Sequence, residues 1–231
     1  MEIRFLGHAC FELTEGDTRV LVDPFLTGNP KAAVAASEVE PTHIFLTHGH
    51  ADHWGDVVDI AKRTGAQCVA ITELSGELGD QGVENTTDPN LGGTVEFDGG
   101  RVRLVPAWHT STTPGGTINT PAGLVINLGG KTVYHFGDTA LFSDLRLVGE
   151  RDRLDVALMC IGGHYTMDRH DGAVAAELVA ARTVIPCHYG TFPLIETDAQ
   201  AFKSDLESRT AGEGRVSTTV EVLQPGETFS P

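Results

Sequence analysis

The sequence predicts one α/β domain in which two β-sheets lie between outer helices. Short apolar segments with the spacing of strands come first and then alternate with helical segments, and this order occurs in both halves of the chain. The 231 residues contain no linker rich in proline, serine or charge, so we expect a single domain over 1–231. The hydrophobic content of 40% and the charged content of 21% are typical of a soluble globular protein.

The first half of the chain begins with strands and continues with helices. Three strands are predicted at 2–5, 10–14 and 19–22, and Glu15-Gly16-Asp17 is typical of a turn between the last two. A short helix is expected over 31–38, since Pro41 would stop it. The other elements predicted in this half are a strand at 43–46, a helix at 54–63, a strand at 67–71, a weak helix at 73–78 and a loop at 86–93.

The second half repeats this order of strands followed by alternation. Asp98-Gly99-Gly100 and Gly129-Gly130 are strong hairpin turns between apolar segments. The polar segment 110–121 is long enough to be a functional loop rather than a connector. Strands are predicted at 94–97, 101–107, 123–128, 132–136, 155–161, 183–187 and 218–223, and helices at 141–148, 171–181 and 199–207.

The segment 47–53 places three imidazoles and a carboxylate on one predicted strand-to-helix loop. These side chains belong to His48, His50, Asp52 and His53. Imidazole and carboxylate groups bind divalent metals such as zinc, manganese and iron. His48 and His50 form one pair, and Asp52 and His53 form a second pair on the first helical turn, which indicates two metals. Chance clustering among ten histidines is the alternative, but a purely structural loop has no reason to crowd these groups together.

Three further metal-competent residues each follow a predicted strand. They are His109, Asp138 and His188. Loops at strand ends commonly assemble the sites of α/β enzymes. Taken singly, a histidine at a strand end is more often a hydrogen-bonded structural residue, and an aspartate after glycine is more often a turn former. The prediction of a metal site therefore depends on the whole set.

The segment 48–53 resembles the signature of the metallo-β-lactamase superfamily. The later candidates His109, Asp138 and His188 stand in the order of that superfamily's remaining ligands. The chain is most similar to a branch of small bacterial and archaeal metal-dependent hydrolases that itself resembles ascorbate-6-phosphate lactonase. Further stretches that carry the resemblance are 7–11, 23–25, 137–139, 161–167 and 188–193.

This resemblance implies a metallo-β-lactamase-like αβ/βα sandwich of two mixed β-sheets flanked by helices, with the site at one edge of the sheets. It also implies a ligand set for two metals. His48, His50 and His109 would hold one ion; Asp52, His53 and His188 would hold the second; and Asp138 would bridge them. One departure concerns Gly163-His164, where many relatives have an Asp-Asn pair.

Residues beside the expected ligands have open roles. Asp52, His164 and Tyr165 are the catalytic candidates, and the last two follow a strand and a glycine pair, from which they could donate to a developing negative charge. A solvated loop is the alternative for His164 and Tyr165. His8, in a turn between two strands, either supports a metal ligand from behind or is a structural histidine.

The expected ligands predict hydrolysis. Two divalent ions, zinc or manganese first and iron next, would share a water, lower its pKa and deliver hydroxide to a carbonyl carbon or a phosphorus atom. We expect the substrate to be a small polar ester or lactone, with or without a phosphate group, and to be anionic. A phosphodiesterase acting on nucleotides or phospholipid-like headgroups is the alternative enzyme. A non-catalytic metal-binding protein is the alternative of another class.

Charge and cysteine usage limit partners and location. The formal net charge of −16 argues against binding to nucleic acid or to an anionic membrane. The four cysteines are separate from one another, which is typical of reduced thiols in a cytoplasmic protein, and the first residues lack the pattern of a signal peptide. The resemblance also leads us to expect a homo-oligomer.

Overall fold

Two seven-stranded β-sheets form the middle of the molecule in the computed structural model, which describes residues 1–211 and 217–231. The first sheet contains β1 (Glu2–Gly7), β2 (Cys10–Glu15), β3 (Thr18–Val22), β4 (His43–Phe45), β5 (Gln67–Val69), β6 (Thr86–Thr87) and β14 (Thr228–Phe229). The second contains β7 (Thr94–Phe97), β8 (Gly100–Pro106), β9 (Ala122–Leu128), β10 (Lys131–His135), β11 (Val156–Cys160), β12 (Thr183–Cys187) and β13 (Thr219–Val220).

Each sheet changes from antiparallel to parallel pairing along its width. Strands β1 to β3 pair antiparallel and β3 to β6 parallel, and β7 to β10 pair antiparallel and β10 to β13 parallel. Parallel neighbours need a crossover, and helices usually provide it. The helices are α1 (Ala51–Trp54), α2 (Val57–Thr64), α3 (Thr72–Asp80), α4 (Leu145–Arg151), α5 (Arg169–Val179) and α6 (Ala199–Thr210). This arrangement of two mixed sheets flanked by helices confirms the predicted fold class.

The main hydrophobic core lies between the sheets. Strand residues of the first sheet, such as Phe11 and Ile44, belong to the same buried cluster as Ile126 and Leu158 of the second. A second buried cluster, which includes Met159 and the residues on α5 and α6, packs on the outer side of the second sheet. Each sheet thus has apolar residues where another layer covers it, as a layered α/β domain requires. None of the helices in the described ranges is long and apolar enough to cross a membrane.

Two predicted helices differ from the structure. The helix expected over 31–38 is wrong, since only a 3₁₀ turn forms at Ala36–Glu38. The preceding backbone is used elsewhere, because the Ala33 amide donates to the Leu6 carbonyl of β1. The helix expected over 54–63 starts earlier, at Ala51, and is interrupted at Gly55. Gly55 has φ +43° and lies so close to the Pro24 carbonyl that a Cβ atom would be 2.3 Å from the oxygen.

Short strands and element ends account for the other differences. Thr86–Thr87 forms the edge strand β6 inside the segment expected to be a loop. The closing strand expected over 218–223 is only Thr219–Val220, and β14 on the first sheet was not predicted. The helix expected over 141–148 is displaced to Leu145–Arg151. Two-residue strands have too few side chains to show an alternating pattern, so pairing with a neighbour determines them.

Candidate metal centre

The candidate ligands lie at one edge of both sheets because the strands that precede them run in the same direction. In the first sheet, β1 and β4 lead to His8 and to the loop 47–50. In the second sheet, β8, β10 and β12 lead to His109, Asp138 and His188. The carboxyl ends of like-directed strands meet at the same edge, which brings residues far apart in sequence to one place.

Backbone strain is concentrated at this edge. Among the described residues, the non-glycine residues with positive φ are His8, Asp23, His164, Ala180 and His188. Left-handed backbone is unfavourable for residues with a Cβ atom, although histidine and aspartate tolerate it better than most. Strained residues of this kind cluster at functional sites, where the surrounding structure holds them. At His8, Asp23 and His188, the sharp turn ends the strand and points the side chain at the sheet edge.

Gly49 allows the loop 47–50 to pack closely rather than to adopt a positive φ. A Cβ atom on Gly49 would lie 2.7 Å from the Asn119 side-chain nitrogen and 2.7 Å from a Thr113 methyl group. The Gly49 amide also donates to the Ser111 hydroxyl at 2.8 Å. The segment 110–121, predicted to be functional, thus covers the histidine loop and fixes its position.

Within residues 1–211 and 217–231, two groups of four side chains have the composition and spacing of a metal site. In each group, one potential ligand atom of every residue lies within 4.8 Å of the others. The first group, here called the Asp52 cluster, consists of His8, Asp52, His53 and His188. The second group, here called the Asp138 cluster, consists of His48, His50, His109 and Asp138. The structure therefore brings together all seven residues predicted as ligands, and it adds His8 to them.

The Asp138 carboxylate contacts both clusters. Its Oδ2 atom lies 3.6 Å from His109 Nε2 and 3.8 Å from His48 Nε2, within its own cluster. The same oxygen is 3.1 Å from His188 Nε2, and Oδ1 is 3.3 Å from His53 Nε2, both in the Asp52 cluster. A carboxylate has two oxygens that can serve two cations at once. Asp138 therefore lies where a bridging ligand would have to lie.

Several buried polar atoms at this centre fit a divalent cation. Among the described residues, His53 Nε2, His188 Nε2 and Asp138 Oδ1 are buried without a hydrogen-bond partner. Buried polar atoms in native proteins are nearly always paired, so unpaired ones need an explanation. Imidazole nitrogens and carboxylate oxygens are the ligands that zinc and similar ions bind. A bound cation would satisfy all three atoms.

Asp23 orients histidines of both clusters. Its Oδ2 accepts hydrogen bonds from His53 Nδ1 at 2.8 Å and from the Thr47 hydroxyl at 2.6 Å. Because that hydroxyl donates to Asp23, its oxygen is free to accept from His48 Nδ1, 3.0 Å away. These bonds place the proton of each ring on Nδ1 and leave Nε2 for a metal. The sequence did not predict this role for Asp23, although Asp23 lies in the segment 23–25 that carries the family resemblance.

His8 lies behind Asp52 and is held from its other side. Its Nε2 donates to Asp52 Oδ2 at 3.1 Å, and its Nδ1 accepts from the Thr191 hydroxyl at 2.9 Å. This position agrees with a residue that supports a ligand, although its ring is also near enough to belong to the Asp52 cluster. Thr191 was not among the predicted site residues, although it lies in the segment 188–193 that carries the family resemblance.

Burial and the contacts between carboxylates and imidazoles shift the pKa values of the side chains at this centre. Burial lowers the pKa of His48 well below 6.5, so that ring is neutral. Burial also acts to lower the pKa of His188, but the Asp138 carboxylate outweighs it and raises that pKa to about 9. The pKa of His53 is raised by Asp138 and Asp23 against the same effect of burial. Burial acts to raise the pKa of Asp138, but His188 and His53 outweigh it and lower it. Cations bound here would replace these protons.

A cavity of about 630 Å³ opens onto the centre. His50, Asp52 and Asp138 belong to its wall, together with Tyr165. His164 is exposed and does not line this cavity, but its ring packs edge-on against Tyr165 with centroids 4.4 Å apart. Of the two loop candidates, only Tyr165 is thus in a position to reach a molecule in the cavity, and the catalytic role of either stays a prediction.

Comparisons with known proteins agree with this geometry. Residues 2–188 match the family model described as a beta-lactamase superfamily domain. The chain is 46% identical to a UPF0173 metal-dependent hydrolase of Methanopyrus kandleri over 99% of both chains. It is also 46% identical to a UPF0173 metal-dependent hydrolase of Thermus thermophilus, over 97% of this chain and 99% of the relative.

A solved structure shares the whole fold. Igni18, a metallo hydrolase from the hyperthermophilic archaeon Ignicoccus hospitalis, superposes with a TM-score of 0.88 at 34% identity. The match covers 99% of this chain and 98% of Igni18. An isothiocyanate hydrolase from Delia radicum gut bacteria matches over 100% of this chain and 98% of its own, with a TM-score of 0.75 at 18% identity, which shows a shared fold alone.

Proposed function

The chain belongs to the metallo-β-lactamase superfamily and is a metal-dependent hydrolase, and from this premise we propose that it hydrolyses small esters or lactones at a site for two divalent ions. One observation carries the proposal. Two clusters of four metal-competent side chains share the Asp138 carboxylate and open onto one cavity. A structural site closed on all sides would leave no room for a substrate.

The donor set determines which ions fit. We propose that His48, His50 and His109 hold one ion and that Asp52, His53 and His188 hold the other. All of these donors are nitrogen or oxygen, which suits zinc or manganese first and iron as well. When bound, such ions supply a water of lowered pKa and polarise the carbonyl of the substrate. Asp138 would be a ligand shared by both ions, since it contacts histidines of both clusters.

The protein's own groups place and move protons around the substrate. The Asp52 side chain is 31% exposed at the cavity wall. Burial acts to raise its pKa, but the nearby His188 ring, 3.7 Å away, and the hydrogen bond from His8 outweigh burial and lower the pKa. Asp52 is therefore ionised at neutral pH and can accept a hydrogen bond at the cavity wall. His8 fixes its orientation. Tyr165 lines the same cavity, and its hydroxyl can donate to negative charge that develops on the substrate oxygen.

The location and assembly of the chain remain proposals from the sequence. Cys10, Cys68, Cys160 and Cys187 are buried free thiols, which fits a reducing compartment, and we propose the cytoplasm. A homo-oligomer is the assembly that we expect, and light scattering on the purified protein would test it.

The test compares metal-free and remetallated protein on a panel of lactones, carboxylic esters, thioesters and phosphodiesters. We expect no activity without metal, recovery with zinc or manganese, and faster turnover of lactones or esters than of phosphodiesters. In a single turnover in ¹⁸O-labelled water the isotope should enter the product directly, because no protein nucleophile is needed. Activity that survives complete metal removal would contradict the proposal. Turnover of phosphodiesters alone would favour the phosphodiesterase alternative.

A further inference from the structure

We propose that the substrate carries an uncharged apolar group, such as an alkyl or aryl substituent, which binds against a hydrophobic wall beside the metal ligands. This inference rests on the proposed function and names the substrate class of the same cavity. The wall, here called the apolar wall, is formed by Phe25, Ala51, Tyr165, Phe192, Pro193 and Leu194. The ligand side of the cavity is formed by His50, Asp52, His109, Asp138 and His188, with Thr110.

The base of the apolar wall is held in position by aromatic contacts. The rings of Phe25 and Phe192 lie 6.4 Å apart between centroids. Both also contact the His8 ring edge-on, at 5.8 Å and 5.6 Å. His8 donates to Asp52, so the two rings lie directly beside the ligand centre. A fixed aromatic surface next to the reacting group is a common way to hold an apolar substituent.

The rim of the apolar wall exposes apolar side chains to solvent. Leu194 is 58% exposed and Tyr165 is 53% exposed, and both line the cavity. Leu194 lies in the 3₁₀ turn Pro193–Ile195, which the fully buried Ile195 anchors to the protein. Exposed large apolar side chains grouped around a concave site usually mark a surface that binds something. Their continuity with the metal ligands indicates that the occupant is the substrate.

The charges around the cavity disfavour an anionic substituent, in contrast to the anionic substrate expected from the sequence. None of the residues described as lining it is lysine or arginine, and its ionisable groups are histidines and the carboxylates of Asp52 and Asp138. Phosphate and carboxylate groups are normally recognised by arginine, lysine or clusters of backbone amides. The metals can offset negative charge only at the reacting end of the substrate. An alkyl or aryl group avoids this cost and buries apolar surface instead.

The experiment measures how affinity depends on chain length. Straight-chain alkyl hydroxamic acids, from two to ten carbons, are titrated into the metal-loaded protein by calorimetry, so the result does not need a known substrate. We expect the Kd to fall by about two- to fourfold per added methylene until the cavity is filled. A parallel series of alkyl-substituted lactones should show kcat/KM rising in the same way, and above that of a phosphorylated lactone.

Two variants test whether the apolar wall causes the dependence of Kd on chain length. Leu194→Ala and Phe192→Ala should reduce the dependence of Kd on chain length, with metal content unchanged. Leu147→Ala is the matched control, because Leu147 is 55% exposed on α4 and does not line the cavity. It should keep the wild-type dependence.

Three results would overturn the inference. They are a Kd independent of chain length, tighter binding of phosphorylated probes than of alkyl probes, and a dimer, measured by light scattering, that Leu194→Ala dissociates, which would place Leu194 between two copies of the chain. Failure of the proposed function looks different: the alkyl hydroxamates would still bind with the expected chain-length dependence, while no lactone or ester would be hydrolysed.

Discussion

The Asp52 cluster and the Asp138 cluster each contain four candidate ligands but differ in what holds those side chains. In the Asp52 cluster, His53 is hydrogen-bonded to Asp23 and His8 to Thr191. Both ring nitrogens of His188 lack a hydrogen-bond partner among the described residues, although Nε2 lies 3.1 Å from the Asp138 carboxylate. In the Asp138 cluster, His48 alone has such support from the part of the chain that the structure describes, through Thr47.

The two remaining histidines of the Asp138 cluster are less restrained. His50 and His109 are partly exposed at the cavity wall. His50 contacts His48 across the cluster, and no hydrogen bond from the described residues holds the His109 ring. Outer hydrogen bonds fix the tautomer and orientation of a ligand and raise metal affinity. We therefore expect the Asp52 cluster to bind its ion more tightly and the Asp138 cluster to exchange its ion more readily.

The largest effect should come from Asp138→Asn, which removes the charge shared by both clusters. The variant keeps the size of the side chain but leaves His53 and His188 without their carboxylate partner. We expect both ions to be lost, with affinities falling by more than the roughly 10- to 100-fold typical of an outer partner. Elemental analysis after dialysis measures this loss. Asp59→Asn, an exposed change on α2, is the control. Retention of both metals would remove Asp138 from the ligands.

Asp23→Asn should distinguish the two clusters. Asparagine tolerates the left-handed backbone of position 23, φ +47°, but its amide nitrogen cannot accept the hydrogen bond from His53. We expect the affinity of the Asp52 cluster to fall roughly 10- to 100-fold. The Asp138 cluster should lose less, because His48 is linked to Asp23 only through Thr47. Competition with a coloured chelator resolves the two affinities. Equal losses of metal affinity at both clusters would contradict the expectation that Asp23 supports the Asp52 cluster more than the Asp138 cluster.

The stability of the metal-free protein should depend on pH through the Asp52 cluster. His53 and His188 have raised pKa values, so their protonated pairs with Asp138 stabilise the fold fully below pH 6.5. This contribution is lost as pH rises through the folded-state value, about 9 for His188. His48 has the opposite effect on stability, because its pKa is lowered. Its contribution to the stability of the fold is present above pH 6.5 and is lost as the pH falls through the lowered folded-state pKa.

Thermal unfolding from pH 6.5 to 9.5 tests this expectation. The Tm of the metal-free protein should fall by several degrees over this range, while the metal-loaded protein should show a much flatter profile. A Tm of the metal-free protein that rises with pH over the same range would show that the carboxylate–imidazolium pairs do not form.

The smallest effect should come from His164→Ala, a change outside both clusters. His164 is exposed, and its ring packs against Tyr165, which lines the cavity. We expect kcat to fall by less than about tenfold and metal content to stay at the wild-type level. Tyr165→Phe separates loss of the ring contact from loss of the hydroxyl. An unchanged kcat for both variants would leave this loop without a part in turnover.

Local patterns predicted most strands and the candidate ligands. They were least accurate where contacts between distant parts of the chain determine the secondary structure. The motif 48–53 shows its chemistry within a few residues, and the other candidates follow strongly apolar strands. The expected helix at 31–38 instead has backbone bonds to β1. Edge strands of two residues, such as Thr228–Phe229, have no pattern of their own and form because a neighbouring strand pairs with them.

The sequence by itself determined the fold class, the types of ligand and the order in which they follow the strands, because these depend on periodicity and on the chemistry of single side chains. Only the tertiary structure decided that His8 lies in the Asp52 cluster, that Asp23 orients His53, and that Phe25 and Phe192 meet beside Asp52. The hydrogen bond between His8 and Thr191 spans 183 positions. Contacts of that range arise from strand direction and sheet packing, which no local stretch of sequence encodes.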